Sequence, residues 1–435
     1  MKTIMITAPS SNTGKTTLTL GIIRALKNRG LDISAFKTGP DYIDTKYLSM
    51  ASGKTAGNLD MHMMGRENLP KALSINKGDY AVIEGAMGYF DGIFNSYENS
   101  SYDISRELDL GAILVYSPKG EMFSAIPKIK GMVDFSQGRI KAIILNKCSK
   151  SSYLLLRAQI EKYVGIRVLG HMPLREELEL DSASLGLDDS DDQAMEDMIQ
   201  ATSVLIEENI DLDGLLDLMG DVELSDYSLP RRPGLKIAIA RDQAFSFHYS
   251  ENLKILEDLA EVEYFSPLED QELGEADLVF IGGGYVENYL DQLAGNKSMM
   301  DSIRAYVEAG GYLIAEGGGF MYLTNSIESK EMLGIFSGEA ELINKLERFG
   351  YINIDILEDS PYGRAGTRLL GNEYHKSRVR MDMEPIFHIS KPRSKKTWQC
   401  GYQYKNALGY YGHLNFLGNI DSLNYLLSLI EKEVD

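Results

Sequence analysis

The ten residues Ala8-Pro9-Ser10-Ser11-Asn12-Thr13-Gly14-Lys15-Thr16-Thr17 join an apolar run, KTIMIT, to a helical pattern, LTLGIIRAL. A strand, a loop of small residues and a helix start form the context that a polyphosphate site needs. Backbone N–H groups of such a loop and of the helix N-terminus point at the phosphates, Lys15 adds a mobile positive charge, and the Thr16 hydroxyl can ligate Mg²⁺. Asn12, Thr13, Gly14, Lys15, Thr16 and Thr17 are therefore the candidate nucleotide contacts. Pro9 stands where the common pattern has glycine and offers no N–H, so Asn12 and Gly14 must supply the turn geometry.

Mg²⁺ takes hard oxygen ligands, and three acidic segments could provide them. Lys37-Thr38-Gly39-Pro40-Asp41-Tyr42-Ile43-Asp44 follows the second β-rich run, at the edge where doubly wound sheets bind ligands. Glu84-Gly85-Ala86-Met87-Gly88-Tyr89-Phe90-Asp91-Gly92 follows the run AVI in the same way. Asp44 and Asp91 have plain turn formation as the alternative reading. Glu84 is harder to dismiss, because an acid that ends a central apolar strand needs a cation. Asn58-Leu59-Asp60 reads as a third acidic turn.

The elements that must hold these residues are legible as a rhythm. KTIMIT, LDISAF, YAVIEG, AILVYS, KAIILN and RVLGHM alternate with helical patterns, which predicts a parallel sheet with crossover helices. The pattern dissolves between about 209 and 234 in an acidic stretch ending in Pro-Arg-Arg-Pro-Gly. A second doubly wound unit then begins with LKIAIA, continues through VEYFS, DLVFIGGG and GYLIAEGGG, and closes with a helix from about Asp421. The domains are expected at 1–225 and 226–435.

With 435 residues the chain suits two cores of roughly 200 residues each. A net charge of −20, from 64 acidic and 44 basic residues, argues against a nucleic-acid partner, which would need an extended basic surface. No apolar run approaches a membrane span, so a cytoplasmic protein without a membrane partner is the expectation. Cys148 and Cys400, the two cysteines, have no disulfide or zinc pattern.

Taken in order, FKTGPDYID, NLDMHM, VIEGAMGYFDG, AIILNK, ARDQAFSFHYSENL, GGGYVEN, AEGGGFMYL, NEYHKS and ALGYYGHLNF resemble the landmarks of the cobyrinic acid a,c-diamide synthase family, which includes the nickel-sirohydrochlorin a,c-diamide synthases. The resemblance covers nearly the whole chain. It implies an α/β protein: a P-loop domain of the dethiobiotin synthetase kind, then a class I glutamine amidotransferase-like domain. It further implies that ATP phosphorylates a carboxylate of a tetrapyrrole and that ammonia displaces the phosphate. In that reading Thr16, Asp41 and Glu84 hold Mg²⁺, and Lys37, Asp41, Asp44 and Asp91 form the catalytic carboxylate-activation site. Asn146 reads the adenine, and Tyr42 and Ile43 meet the tetrapyrrole.

Two segments depart from the family. Asp181-Ser182-Ala183-Ser184-Leu185-Gly186-Leu187 lacks an expected Arg-His pair, which bears on the substrate. In the second half the strand GYLIAE runs into Gly317-Gly318-Gly319 and the helical pattern FMYLTN, a turn suited to a thiol nucleophile, yet Gly317 stands where the family has cysteine. A degenerate glutaminase site of Gly317, His413, Gly283 and Gly284 follows, with Asn415 in place of a second histidine and His413 expected as an ordinary buried histidine. Ammonia must then come free or from a separate glutaminase. A non-catalytic, ATP-gated tetrapyrrole-binding or scaffold protein is the alternative. A ParA-like switch would need an extra lysine early in the loop, which Ala8-Pro9-Ser10 lacks. The sequence leaves the assembly open, a homodimer included.

Overall fold

The computed structural model describes residues 1–175 and 192–434, so the segment Asp181 to Leu187 lies outside the described residues. The chain divides into two units, one of residues 1–61 and 66–227 and one of residues 62–65 and 228–435.

The first unit is built on β1 (Lys2–Thr7), β2 (Ile33–Thr38), β3 (Gly57–Leu59), β4 (Tyr80–Glu84), β5 (Ala112–Tyr116), β6 (Ile140–Leu145) and β7 (Arg167–His171). These run parallel in the order β3-β2-β4-β1-β5-β6-β7, and β8 (Gly220–Asp221) pairs antiparallel with the start of β1. Ile4, Ile6, Val82, Ile113, Val115 and Ile144 of the central strands join Leu18, Ile22 and Leu26 of the helix α1 (Lys15–Asn28) in one core. Burial on both faces explains the continuous apolar runs. β2 is buried at all six positions although it carries Lys37, so that lysine must find anionic company inside. The Asn58-Leu59-Asp60 segment is not a turn: Gly57–Leu59 is the edge strand, and Asn58 donates to the carbonyls of Gly39 at 2.8 Å and Asp41 at 3.0 Å.

The second unit has a sheet of β9 (Lys236–Ala240), β10 (Glu261–Phe265), β11 (Leu278–Ile281) and β12 (Tyr312–Glu316), ordered β10-β9-β11-β12 and extended by Ala407–Tyr410 and Tyr402–Tyr404. All but the last pairing are parallel. The helix expected at FMYLTN is a single turn, Gly318–Tyr322, and the chain re-enters a strand at Thr324–Ile327. Between these and residue 414 lie further sheets of four and five strands that the parallel rhythm did not announce. They are mainly antiparallel, and Arg348–Ile356 alternates buried and less buried residues along its inner half, as a strand with one covered face does. Among the described residues no helix is long and apolar enough to cross a membrane.

Candidate active site

The phosphate loop leaves β1 at the centre of the first sheet. Asn12 and Gly14 both take left-handed backbone angles, φ 62° and 77°, as the missing glycine at Pro9 requires. A side chain at Gly14 would in addition put Cβ 2.3 Å from Nδ2 of Asn146. That amide donates to the Thr13 carbonyl at 2.7 Å, so Asn146, expected to read adenine, braces the phosphate loop with its nitrogen.

The β2–β4 register puts Lys37 beside Glu84 on parallel neighbours. Lys37 pairs with Glu84 Oε1 at 3.0 Å and with Asp44, and Thr16 Oγ1 donates to the same Glu84 oxygen at 2.6 Å. Glu84 is fully buried, and its Oε2 has no hydrogen-bond partner. Burial opposes the charge on Lys37, but Asp44, Glu84 and Asp41 outweigh it and raise its pKa above the ordinary value. Burial likewise opposes ionisation of Asp44, and Lys37 overcomes it, holding Asp44 below the carboxylate range. Asp41 goes the other way, pushed up to about 6 by burial and then by the neighbouring Asp44 charge. Its Oδ1 caps the helix α2 (Tyr42–Ser52), accepting from the N–H groups of Ile43 and Asp44 at 3.0 Å each.

Lys15 donates to the Met87 carbonyl at 3.0 Å, and Met87 itself is left-handed at φ 48°. The Lys15 pKa is lowered to about 8, first by burial and then by the charge on Lys37. Asn12 to Thr17, Lys37, Asp41, Ile43, Asp44 and Asn146 all face one cavity of about 740 Å³. Three predicted residues of the first unit do not line it, and one of them, Glu84, is fully buried. Tyr42 opens α2 without lining the cavity, and exposed Asp91 closes a turn by accepting the Gly88 N–H at 3.1 Å. Sequence reasoning missed the supporting hydroxyl of Thr38, which accepts the Ala86 N–H at 2.7 Å and so holds the loop that presents Met87.

In the second unit Gly317 ends β12 with φ 53° and ψ −113°, and its N–H bonds the Tyr410 carbonyl at 3.0 Å. This is a sharp strand-to-helix elbow. A Cβ at Gly317 would lie 2.8 Å from both Cε1 and Nε2 of His413, and one at Gly283 would lie 2.6 Å from Cε1. Gly284 is tighter still, since a Cβ there would lie 2.1 Å from the Ala244 carbonyl oxygen. The imidazole thus presses on the ground where a nucleophile's side chain would stand. His413 is buried, and its Nδ1 meets Glu316 Oε2 at 3.3 Å, while Glu316 Oε1 accepts from the Tyr410 hydroxyl at 2.7 Å and the Leu414 N–H at 3.2 Å. Glu316 carries the same sequence signal as Glu84, an acid ending a buried strand, although it was not among the predicted residues. Burial and the nearby Glu373 charge push the Cys400 thiol up to about 12, and burial raises Cys148, so neither offers a ready thiolate.

Residues 4–185 match the CobQ/CobB/MinD/ParA nucleotide binding domain, and residues 236–420 match the CobB/CobQ-like glutamine amidotransferase domain. A cobyrinate a,c-diamide synthase of Clostridium tetani is 39% identical, covering 99% of this chain and all of the relative. The chain belongs to the cobyrinate a,c-diamide synthase family. The synthases of Clostridium acetobutylicum, at 39% over 98% of this chain, and of Listeria monocytogenes serovar 1/2a, at 36% over 99%, are also matched over their full length. Family membership makes the protein an amide-forming ligase with a nucleotide-binding domain and a glutamine amidotransferase-like domain, as the sequence motifs led one to expect.

Proposed function

We propose that the protein converts peripheral carboxylates of cobyrinate, or of a closely similar tetrapyrrole, to amides at the expense of ATP, with ammonia supplied from outside its own second domain. The substrate carboxylate oxygen attacks the γ-phosphorus of ATP and ADP leaves. Ammonia then attacks the carbonyl carbon of the acyl phosphate, a proton is lost, and phosphate departs. Catalysis of this kind rests on positioning and charge neutralisation. In this reading the 12–17 loop cradles the phosphates, and Lys15 leaves the Met87 carbonyl to meet them. Lys37, Asp41 and Asp44 orient the carboxylate being activated, with Ile43 at the tetrapyrrole.

The observation that carries the reading is Glu84: fully buried, bonded to Thr16 and Lys37 through one oxygen, with the other oxygen unpartnered. Such a carboxylate fits a Mg²⁺ that Thr16 and Glu84 would hold, with Asp41, which feels the Glu84 charge, as a further oxygen donor; that ion would supply charge to the transferring phosphoryl group. The elbow at Gly317, with no side chain and with His413 against it, supports an external ammonia source. The whole-chain likeness to synthases does not favour the binding-protein alternative.

The test is ADP release and product mass from cobyrinate with ammonium or with glutamine as donor. Amide formation with ammonium and none with glutamine is expected. Turnover on glutamine would sink the silent-elbow part, and tight ATP binding without turnover on either donor would sink the amidation reading.

A further inference from the structure

Arg24 lies on α1 about two and a half turns beyond Lys15 and is only 6% exposed. Its guanidinium spends every donor it has. Nε bonds the Ala51 carbonyl at 3.1 Å, and Nη2 bonds the Met50 carbonyl at 2.8 Å. Nη1 bonds Glu196 Oε1 at 2.5 Å and Gln200 Oε1 at 3.3 Å, while Nη2 reaches Glu196 Oε2 at 2.8 Å. Met50 and Ala51 belong to the last turn of α2, where a helix leaves carbonyls without internal partners and favours a cation. Glu196 and Gln200 belong to the helix Asp192–Asn209. That helix packs tightly on α1, since a Cβ at Gly21 would stand 2.5 Å from Cγ2 of Thr202, itself a cavity residue.

The three helices share this one bolt at a distance from the chemistry, and two of them begin at the site. α1 starts with Lys15 and Thr16, and α2 is capped by Asp41 and carries Asp44 in its first turn. Near the site α2 is tied by the Asp44–Lys37 pair, which continues through Glu84 to Thr16. Its far end is tied by Arg24. We propose that Arg24 is a positioning residue for amide formation, holding α2 so that Asp41 and Asp44 keep their places against the phosphate loop. A lysine in its place has a point charge and no fork, so it cannot serve Glu196 and both carbonyls together. The inference rests on the role proposed above for Asp41 and Asp44.

The test uses the full chain with Arg24→Met and Arg24→Lys, measuring ATP affinity, kcat and amide formed per ADP released with ammonium and cobyrinate. Misplacement of about 1 Å costs on the order of 100-fold in rate. For Arg24→Met we expect kcat down about 10- to 100-fold and a clear loss of amide per ADP, with ATP affinity within about 3-fold, because the phosphate loop is held independently by Asn146. Arg24→Lys should recover part of the coupling. Folded variants with unchanged kcat and coupling overturn the proposal, as does a fall of rate, ATP affinity and melting temperature in parallel, which is the mark of a purely structural residue. If the Arg24 variants do not fold, Glu196→Gln decides: reduced coupling at unchanged ATP affinity supports the proposal, and unchanged coupling overturns it. Asp44→Asn is run beside them, and if it amidates normally the underlying role of α2 has failed, whatever Arg24 does.

Discussion

Gly317→Cys separates the geometry of the elbow from its chemistry. At φ 53° and ψ −113° any side chain is strained, by roughly 1–3 kcal/mol for such sparsely populated backbone regions. Losing glycine's freedom in the unfolded chain returns about 0.4–1 kcal/mol. The new Cβ would meet His413 at 2.8 Å, well inside the roughly 3.5–4.0 Å of a relaxed contact, so the buried ring must retreat. We expect a net destabilisation of about 1–3 kcal/mol, with Gly317→Ala costing the same because the strain resides in the backbone and Cβ. Trp398, the single tryptophan, lies in the second unit and reports its urea unfolding by fluorescence. With Nδ1 turned to Glu316, Nε2 of His413 faces the elbow. Weak glutamate release from glutamine should therefore appear in the cysteine variant, not in the alanine one, and vanish when His413→Ala is added. Wild-type midpoints in both variants would refute the strained elbow. A folded but inert cysteine variant would mean that His413 or the oxyanion N–H groups are out of place.

Asp41→Asn should keep the α2 cap while removing a carboxylate whose pKa is pushed up to about 6. A raised acid contributes stability that is full below the ordinary carboxylate value and lost as pH rises through about 6. The variant should therefore gain at pH 8 and match the wild type below pH 4; the shift corresponds to about 3 kcal/mol, trimmed to about 1–2 by solvent in the cavity. Amide formation should fall steeply in the same variant, and a pH series of urea midpoints beside an ammonium assay checks both. Lys15, lowered to about 8, must be protonated to meet a polyphosphate. The ATP dissociation constant should rise with pH above about 8 in the wild type. Lys15→Met should bind weakly with no such dependence, and calorimetry at pH 7 and pH 9 reads the difference.

Whatever depends on neighbours along the chain is legible in the residues themselves. The strand, loop and helix around Lys15, six of the seven parallel strands of the first unit and the elbow at Gly317 are local patterns of apolar period, small residues and caps, and the structure has them where the residues said. Even the replacement for glycine at Pro9 was legible, because left-handed turns favour residues such as Asn12 and Gly14. Which distant groups meet depends on strand order and packing. Lys37 and Glu84 are adjacent because β2 and β4 are neighbours in one register, and no local propensity encodes a crossover. The same holds for Arg24 against the end of α2, for Asn146 under the phosphate loop, and for Asp91, whose motif position gave no sign that it would turn outward to close its own bend. At Gly317 the missing thiol is legible in the residues, but only the fold brings His413 and Glu316 to it, since strand order and long-range packing set that distance.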